Sequence, residues 1–223
     1  MQKALALIPS VTSYSQYVET QIKIDNRTLR IVGIYTVDNA TKQFASYSTT
    51  TLLIGNDAKP HIFTHQNIAA GDTVYFKIES QDALLKSSIQ SSPHWRSFKN
   101  SEIPKNFTSI AIAGPIQDNL AVLSERGTYI TLQRNSGTTQ WGEESLLRYT
   151  FILSKKAFAV SDGPLNALVQ RIGQQGTVDV WIDPQSFKVR HMVFANAPYF
   201  STTTISHLNT PLPFEIPVVR MVQ

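Results

Sequence analysis

Val178-Asp-Val-Trp-Ile-Asp183, the corner Pro184–Gln185, and then Phe187–Phe194 form the stretch whose reading decides the fold. Apolar and polar residues alternate on both sides of a turn signal, which is the pattern of two antiparallel strands joined by a hairpin. Outward from it the same period of two recurs. Between Ser13 and Asp25, Tyr14, Val18, Ile22 and Ile24 point one way, and Glu19, Gln21, Lys23 and Asp25 the other. Thr28–Asp38 puts Leu29, Ile31, Tyr35 and Val37 on one face with Gly33, after a turn at Asp25–Asn26–Arg27. Gln43–Ile54 is β-branched and rich in hydroxyls through Ser48–Thr51, as a wet or exposed sheet face would be. Thr73–Glu79 carries Val74, Phe76 and Ile78 opposite Tyr75 and Lys77, and His94–Phe98 reads as a short strand. Tyr129–Arg134, Leu146–Leu153 and Pro198–His207 complete the set, and the proline-rich tail from Leu212 to Pro217 permits an edge strand at most.

Helical spacing interrupts the strands. Residues 2–8 read as a helix stopped by Pro9, and Gln81–Ile89 as two turns behind a Ser80 cap. Gly114–Pro115 opens a segment with Ile116, Leu120 and Leu123 on one stripe, closed by Gly127. Ser161–Pro164 precedes a stripe of Leu165, Leu168, Val169 and Ile172, closed by Gly173. A single apolar stripe needs an apolar partner, and the sheet is the only large one. The expected fold is therefore mainly β (α+β): a curved antiparallel half-barrel of about 9–11 strands, with two or three short helices on its concave face.

The totals agree with a single domain over residues 1–223. A chain of 223 residues buries roughly 70% of its extended surface on folding. The absence of cysteine excludes a disulfide framework and a thiolate nucleophile. Net charge is +4 without any block of like charges, so no nucleic-acid partner is expected, and a mild attraction to a membrane surface is.

Chemistry is sparse. His61 and His65 would lie about 13 Å apart along a strand, too far to share a metal, and read as exposed loop histidines. No G-x-S-x-G elbow or phosphate-cradling glycine loop is present, and Glu143–Glu144 falls in an apparent loop. Asn26, Asn39 and Asn106 begin N-x-T sequons, which mark exposed positions. No catalytic residue, metal or cofactor is expected.

Ser13–Tyr14–Ser15, Thr73–Ile78 followed by His94–Trp95–Arg96, Leu147–Phe151, and Val178–Asp183 leading to Val189–Arg190 together resemble the bacterial envelope lipoprotein carriers related to LolA and LolB, in particular the LppX/LprG branch. The resemblance runs from about Lys3 to Phe214 and rests on the order of short patterns. It implies a non-enzymatic, monomeric carrier whose hollow takes a lipid or acyl chain. Val18, Ile22, Ile31, Tyr35 and Phe76 would line that hollow with Leu120, Leu123, Leu165, Leu168, Val169 and Ile172, the last four forming a lid. It also implies an extracytoplasmic site of action. With only Ala4–Ile8 as an apolar run near the start, the export segment or anchor is expected upstream. The alternative is an envelope sensor or interaction module on the same fold with a filled core.

Overall fold

The computed structural model describes residues 2–55, 59–82, 92–99, 130–153, 176–196, 199–210 and 214–217. A short helix, α1 (Gln2–Leu7), and a 3-10 turn at Ile8–Ser10 lead into the strands β1 (Ser13–Ile24), β2 (Arg27–Asp38), β3 (Gln43–Ile54), β4 (His61–Ala70), β5 (Thr73–Ser80) and β6 (Arg96–Lys99). The second half contributes β7 (Ile130–Trp141), β8 (Glu144–Leu153), β9 (Gly176–Ile182), β10 (Val189–Asn196) and β11 (Tyr199–Ser206).

All eleven form one open antiparallel sheet in the order β6-β5-β4-β3-β2-β1-β11-β10-β9-β8-β7. Two meanders, β1 to β6 and β7 to β11, are thus joined by the single seam between β1 and β11. That seam pairs Ser15 with Ser206 at one end and Ile22 with Tyr199 at the other. Sheet-period residues make this arrangement work because alternate side chains leave opposite faces. One face is buried along its length: Tyr14, Val18 and Ile22 of β1, Ile31 and Val37 of β2, Val74, Phe76 and Ile78 of β5, and Val178, Val180 and Ile182 of β9. We call it the inner face.

Tight turns hold the register. β4–β5 and β7–β8 each reverse over two residues, with Ala70 opposite Thr73 and Trp141 opposite Glu144. Their first loop residues, Gly71 and Gly142, adopt φ of +61° and +57°, which a residue without Cβ reaches at no steric cost.

The β9–β10 connection is longer than the expected two-residue corner. It runs from Asp183 to Lys188, and the Asp183 carboxylate accepts the amides of Gln185 and Ser186, both at 2.8 Å. Those bonds hold the carboxyl below its ordinary value, the Ser186 amide contributing most. Asp183 N–H donates to the Lys188 carbonyl and Phe187 N–H to the Asp183 carbonyl. Phe187 takes φ +58°, and the Lys3 ammonium lies 4.1 Å above its ring.

The helix expected over residues 2–8 is present as α1 and its 3-10 extension. Ala4 and Val11 join the largest apolar cluster, with Val180, Ile182, Val189, Met192 and Ile205. The helices expected over Gln81–Ile89, Gly114–Gly127 and Leu165–Ile172 lie essentially outside the described residues, so the two or three helices on the concave face are not among the elements seen. What stands is a mainly β, open half-barrel.

Two strand readings are corrected. Residues 61–70 form a full strand, β4, so His61 and His65 are not loop histidines; His65 is 1% exposed. Residues 135–145 are not a loop: β7 runs on to Trp141 and β8 starts at Glu144.

Candidate ligand-binding face

The register places the predicted residues of the first meander on the inner face. Val18 sits opposite Gly33, and Ile22 opposite Leu29. Tyr35 faces Ser46, and Ile31 faces Thr50. Phe76 stands across β4 from them, opposite Asn67. Val18 and Ile31 form one apolar cluster with Leu29 and Tyr35. Phe76 and Ile78 form another with Phe63 and Phe98, the Phe76 and Phe98 rings stacking at 5.4 Å. Among the described residues these two clusters are separate. Leu120, Leu123, Leu165, Leu168, Val169 and Ile172 lie outside the described residues.

What separates the clusters is polar. Ser46, Ser48 and Thr50 of β3 and His65 and Asn67 of β4 are all buried on the inner face. The expectation of a wet, exposed face at Ser48–Thr51 is therefore reversed for Ser48 and Thr50, each 1% exposed. The pairs Ser46–Asn67 and Ser48–His65 are directly opposed, so the five residues make a continuous track along two neighbouring strands. Asn67 Nδ2 donates to Ser46 Oγ at 3.4 Å. Among the described residues, Asn67 Oδ1 and Thr50 Oγ1 have no hydrogen-bond partner.

A second group of hydroxyls is internally satisfied. Thr20 Oγ1 and Ser201 Oγ lie 2.9 Å apart across the β1–β11 seam. The Tyr199 phenol bonds to both, yet burial outweighs those bonds and raises it above its ordinary value.

The outer face carries a tighter constellation that the strand patterns did not reveal. The Trp141 ring stacks on His191 at 4.5 Å and meets Trp181 edge-on at 4.5 Å. His191 Nε2 lies 2.8 Å from Glu144 Oε2, and its Nδ1 lies 3.1 Å from Thr204 Oγ1. Arg190 Nη2 donates to Glu144 at 2.7 Å, and Arg148 Nη2 to Asp179 at 2.7 Å. Burial lowers the His191 pKa despite the opposing pull of Glu144, while Glu144 is lowered by its bonds to His191 and Arg190. Each charge has an opposite partner within the group, and the rings clasp β7, β9 and β10 together. The cue available in sequence was Trp141-Gly-Glu-Glu144, a two-residue reversal flanked by an aromatic and a carboxylate.

Among the described residues no three His, Cys, Asp or Glu side chains are grouped to hold a metal ion. His61 Nδ1 instead lies 2.5 Å from Asp82 Oδ2. No described helix is long and apolar enough to cross a membrane.

This open sheet with one buried face has likenesses among solved structures. The Mycobacterium tuberculosis lipoprotein LppX is similar over 96% of this chain and 95% of its own, at 16% identity and a TM-score of 0.53. LprF from Mycobacterium bovis is similar over 97% of this chain and 98% of its own, at 12% identity and a TM-score of 0.50. The resemblance drawn from the sequence thus stands as a likeness of fold. No protein-family model and no curated sequence matches the chain.

Proposed function

We propose that the protein is a non-enzymatic carrier of a lipid or other acyl-chain ligand in the bacterial cell envelope, held against the inner face of the half-barrel. The observation that carries this reading is the division of the inner face of β1–β6. Among the described residues, Val18 and Ile31 on one side and Phe76 and Ile78 on the other are buried in separate clusters. Between them the described inner face is polar, so the apolar residues form two flanks for an acyl chain to rest against. Val18, Ile22, Ile31, Tyr35 and Phe76 would contact the chain, and Leu120, Leu123, Leu165, Leu168, Val169 and Ile172 would cover it. Burying sixteen methylenes at roughly 0.8 kcal/mol each yields on the order of 13 kcal/mol before ordering costs, enough for binding without a charged contact. The fold likeness to LppX supports an extracytoplasmic, lipid-handling role.

The test is denaturing extraction of the purified protein followed by lipid mass spectrometry. Stoichiometric acyl lipid is the expected result. A lipid-free protein that also fails to take up a fluorescent fatty acid overturns the proposal.

A second reading, an interaction module, is favoured by the outer row Tyr17–Ile34–Tyr47. These residues are directly opposed across β1, β2 and β3 and 46–50% exposed. Replacing all three by Thr separates the readings, because ligand uptake should survive it while partner binding should not.

A further inference from the structure

The polar track on β3 and β4 gives the ligand a chemistry that an apolar hollow alone does not. Asn67 is 1% exposed and Thr50 1% exposed, and Asn67 Oδ1 and Thr50 Oγ1 are buried without a partner among the described residues. A buried polar atom left unserved costs about 1–3 kcal/mol, and native interiors tolerate few of them. Both atoms lie on the face where the proposed ligand would rest, one at each end of the track. The contrast with Thr20, Ser201 and Tyr199 is informative: those hydroxyls, on the same face, satisfy one another.

The donor and acceptor balance narrows the ligand. An amide oxygen only accepts, so whatever serves Asn67 Oδ1 must donate. An ionised carboxylate or an ester carbonyl cannot donate. A hydroxyl can, and it also matches Thr50 Oγ1 as donor or acceptor. Between Arg27 at one turn and Arg96 on the edge strand, the described inner face of β1–β6 carries no permanently charged side chain. The Arg96 guanidinium lies 5.9 Å from the Phe76 ring at the edge of this face, so an anionic headgroup belongs at that edge and not over the track, where a buried anion needs an opposite charge or its pKa moves.

Resting on the carrier reading, we infer that the track selects an uncharged chain bearing a hydroxyl group along its length, with Asn67 and Thr50 as specificity-determining contacts. Phe76 and Ile78 on one flank and Val18 and Ile31 on the other hold the hydrocarbon while the track reads the hydroxyl.

The experiment is competition against a fluorescent acyl probe with C18 methyl esters, either unsubstituted or hydroxylated at carbon 2, 10 or 12. At least one hydroxy ester should bind the natural protein about tenfold more tightly than methyl stearate, the worth of one net hydrogen bond. Thr50 and Asn67 stand about 13 Å apart along the strands, so each reads its own hydroxyl position. Asn67→Leu should cut the preference for the hydroxy esters that reach Asn67 to within about twofold, Thr50→Val should do so for those that reach Thr50, and methyl stearate should bind both variants as before. Thr50→Val keeps the shape and suits a strand, so it tests the idea even if Asn67→Leu fails to fold. If every ester binds equally well, or if the hydroxyl preference survives in both variants, the track does not select the ligand and only this inference falls. If no ester displaces the probe, the carrier reading falls with it.

Discussion

At the scale of single residues, His191 couples the outer face to pH. Its imidazole is 5% exposed and bridges Glu144 and Thr204, an arrangement a neutral ring satisfies by donating from Nε2 and accepting at Nδ1. Burial lowers its pKa from the ordinary 6.5, so the unfolded chain takes up a proton more readily than the folded one. The stabilising contribution is complete above pH 6.5 and drains away as pH falls toward the folded value. Glu144, lowered from 4.5, acts in the same direction: its contribution is present above 4.5 and lost at lower pH. Urea midpoints should therefore fall steadily below pH 6.5, with a second loss below 4.5. His191→Gln should remove the first of these slopes and leave the second reduced but visible. An unchanged profile in that variant would show that the ring is not the titrating group.

At the scale of elements, the β9–β10 loop is fixed by one side chain. Asp183 serves two amides that the turn would otherwise leave open, the role of an N-cap transplanted to a hairpin. Asp183→Ala should lower stability by about 1 kcal/mol, and Asp183→Asn by less, read from urea midpoints at pH 7. Equal stability of the natural protein and Asp183→Ala would remove the loop from the list of folding determinants.

The strand content was legible where polarity followed the pleat. Gln43–Ile54 reads from sequence with its observed bounds, and β1, β2, β5 and β11 shift by a residue or so. β4 was lost because its polarity is inverted. His65 and Asn67 are buried, while Ile62 is 45% exposed, so the cue for an inward face pointed outward. The concealed strand and the selective track are one fact. β7 was half lost for a different reason: register shifts between Leu132 and Arg134 and between Asn135 and Gly137 interrupt its period. Such bulges are a common way to blunt an edge strand. Of the proposed site, Val18, Ile22, Ile31, Tyr35 and Phe76 were visible as one face of three strands. Ser46, Ser48, Thr50, His65 and Asn67 were not, since hydroxyl, amide and imidazole side chains ordinarily signal solvent.

At the scale of the whole molecule, everything depends on one seam. Each meander is built from local hairpins, but β11 must return from the far end of the chain to pair with β1. Contacts of such sequence separation form late and slowly, because loop closure precedes any reward. β11 is also hydrogen-bonded on both sides, with Thr203 opposite Val18 on β1 and Met192 on β10. Proline there would delete a ladder donor and clash in a central strand, a loss of about 3 kcal/mol or more. If the sheet is one cooperative unit, Thr203→Pro should strip hydrogen-exchange protection from β2–β4 as well as from β8–β10. The apolar cluster of Tyr14, Val37, Val180 and Met192 draws on both meanders, so this is the expected outcome. Protection retained in β2–β4 and lost only in β8–β10 would instead make the first meander an independent platform, and the ligand face could then be studied without the second half of the chain.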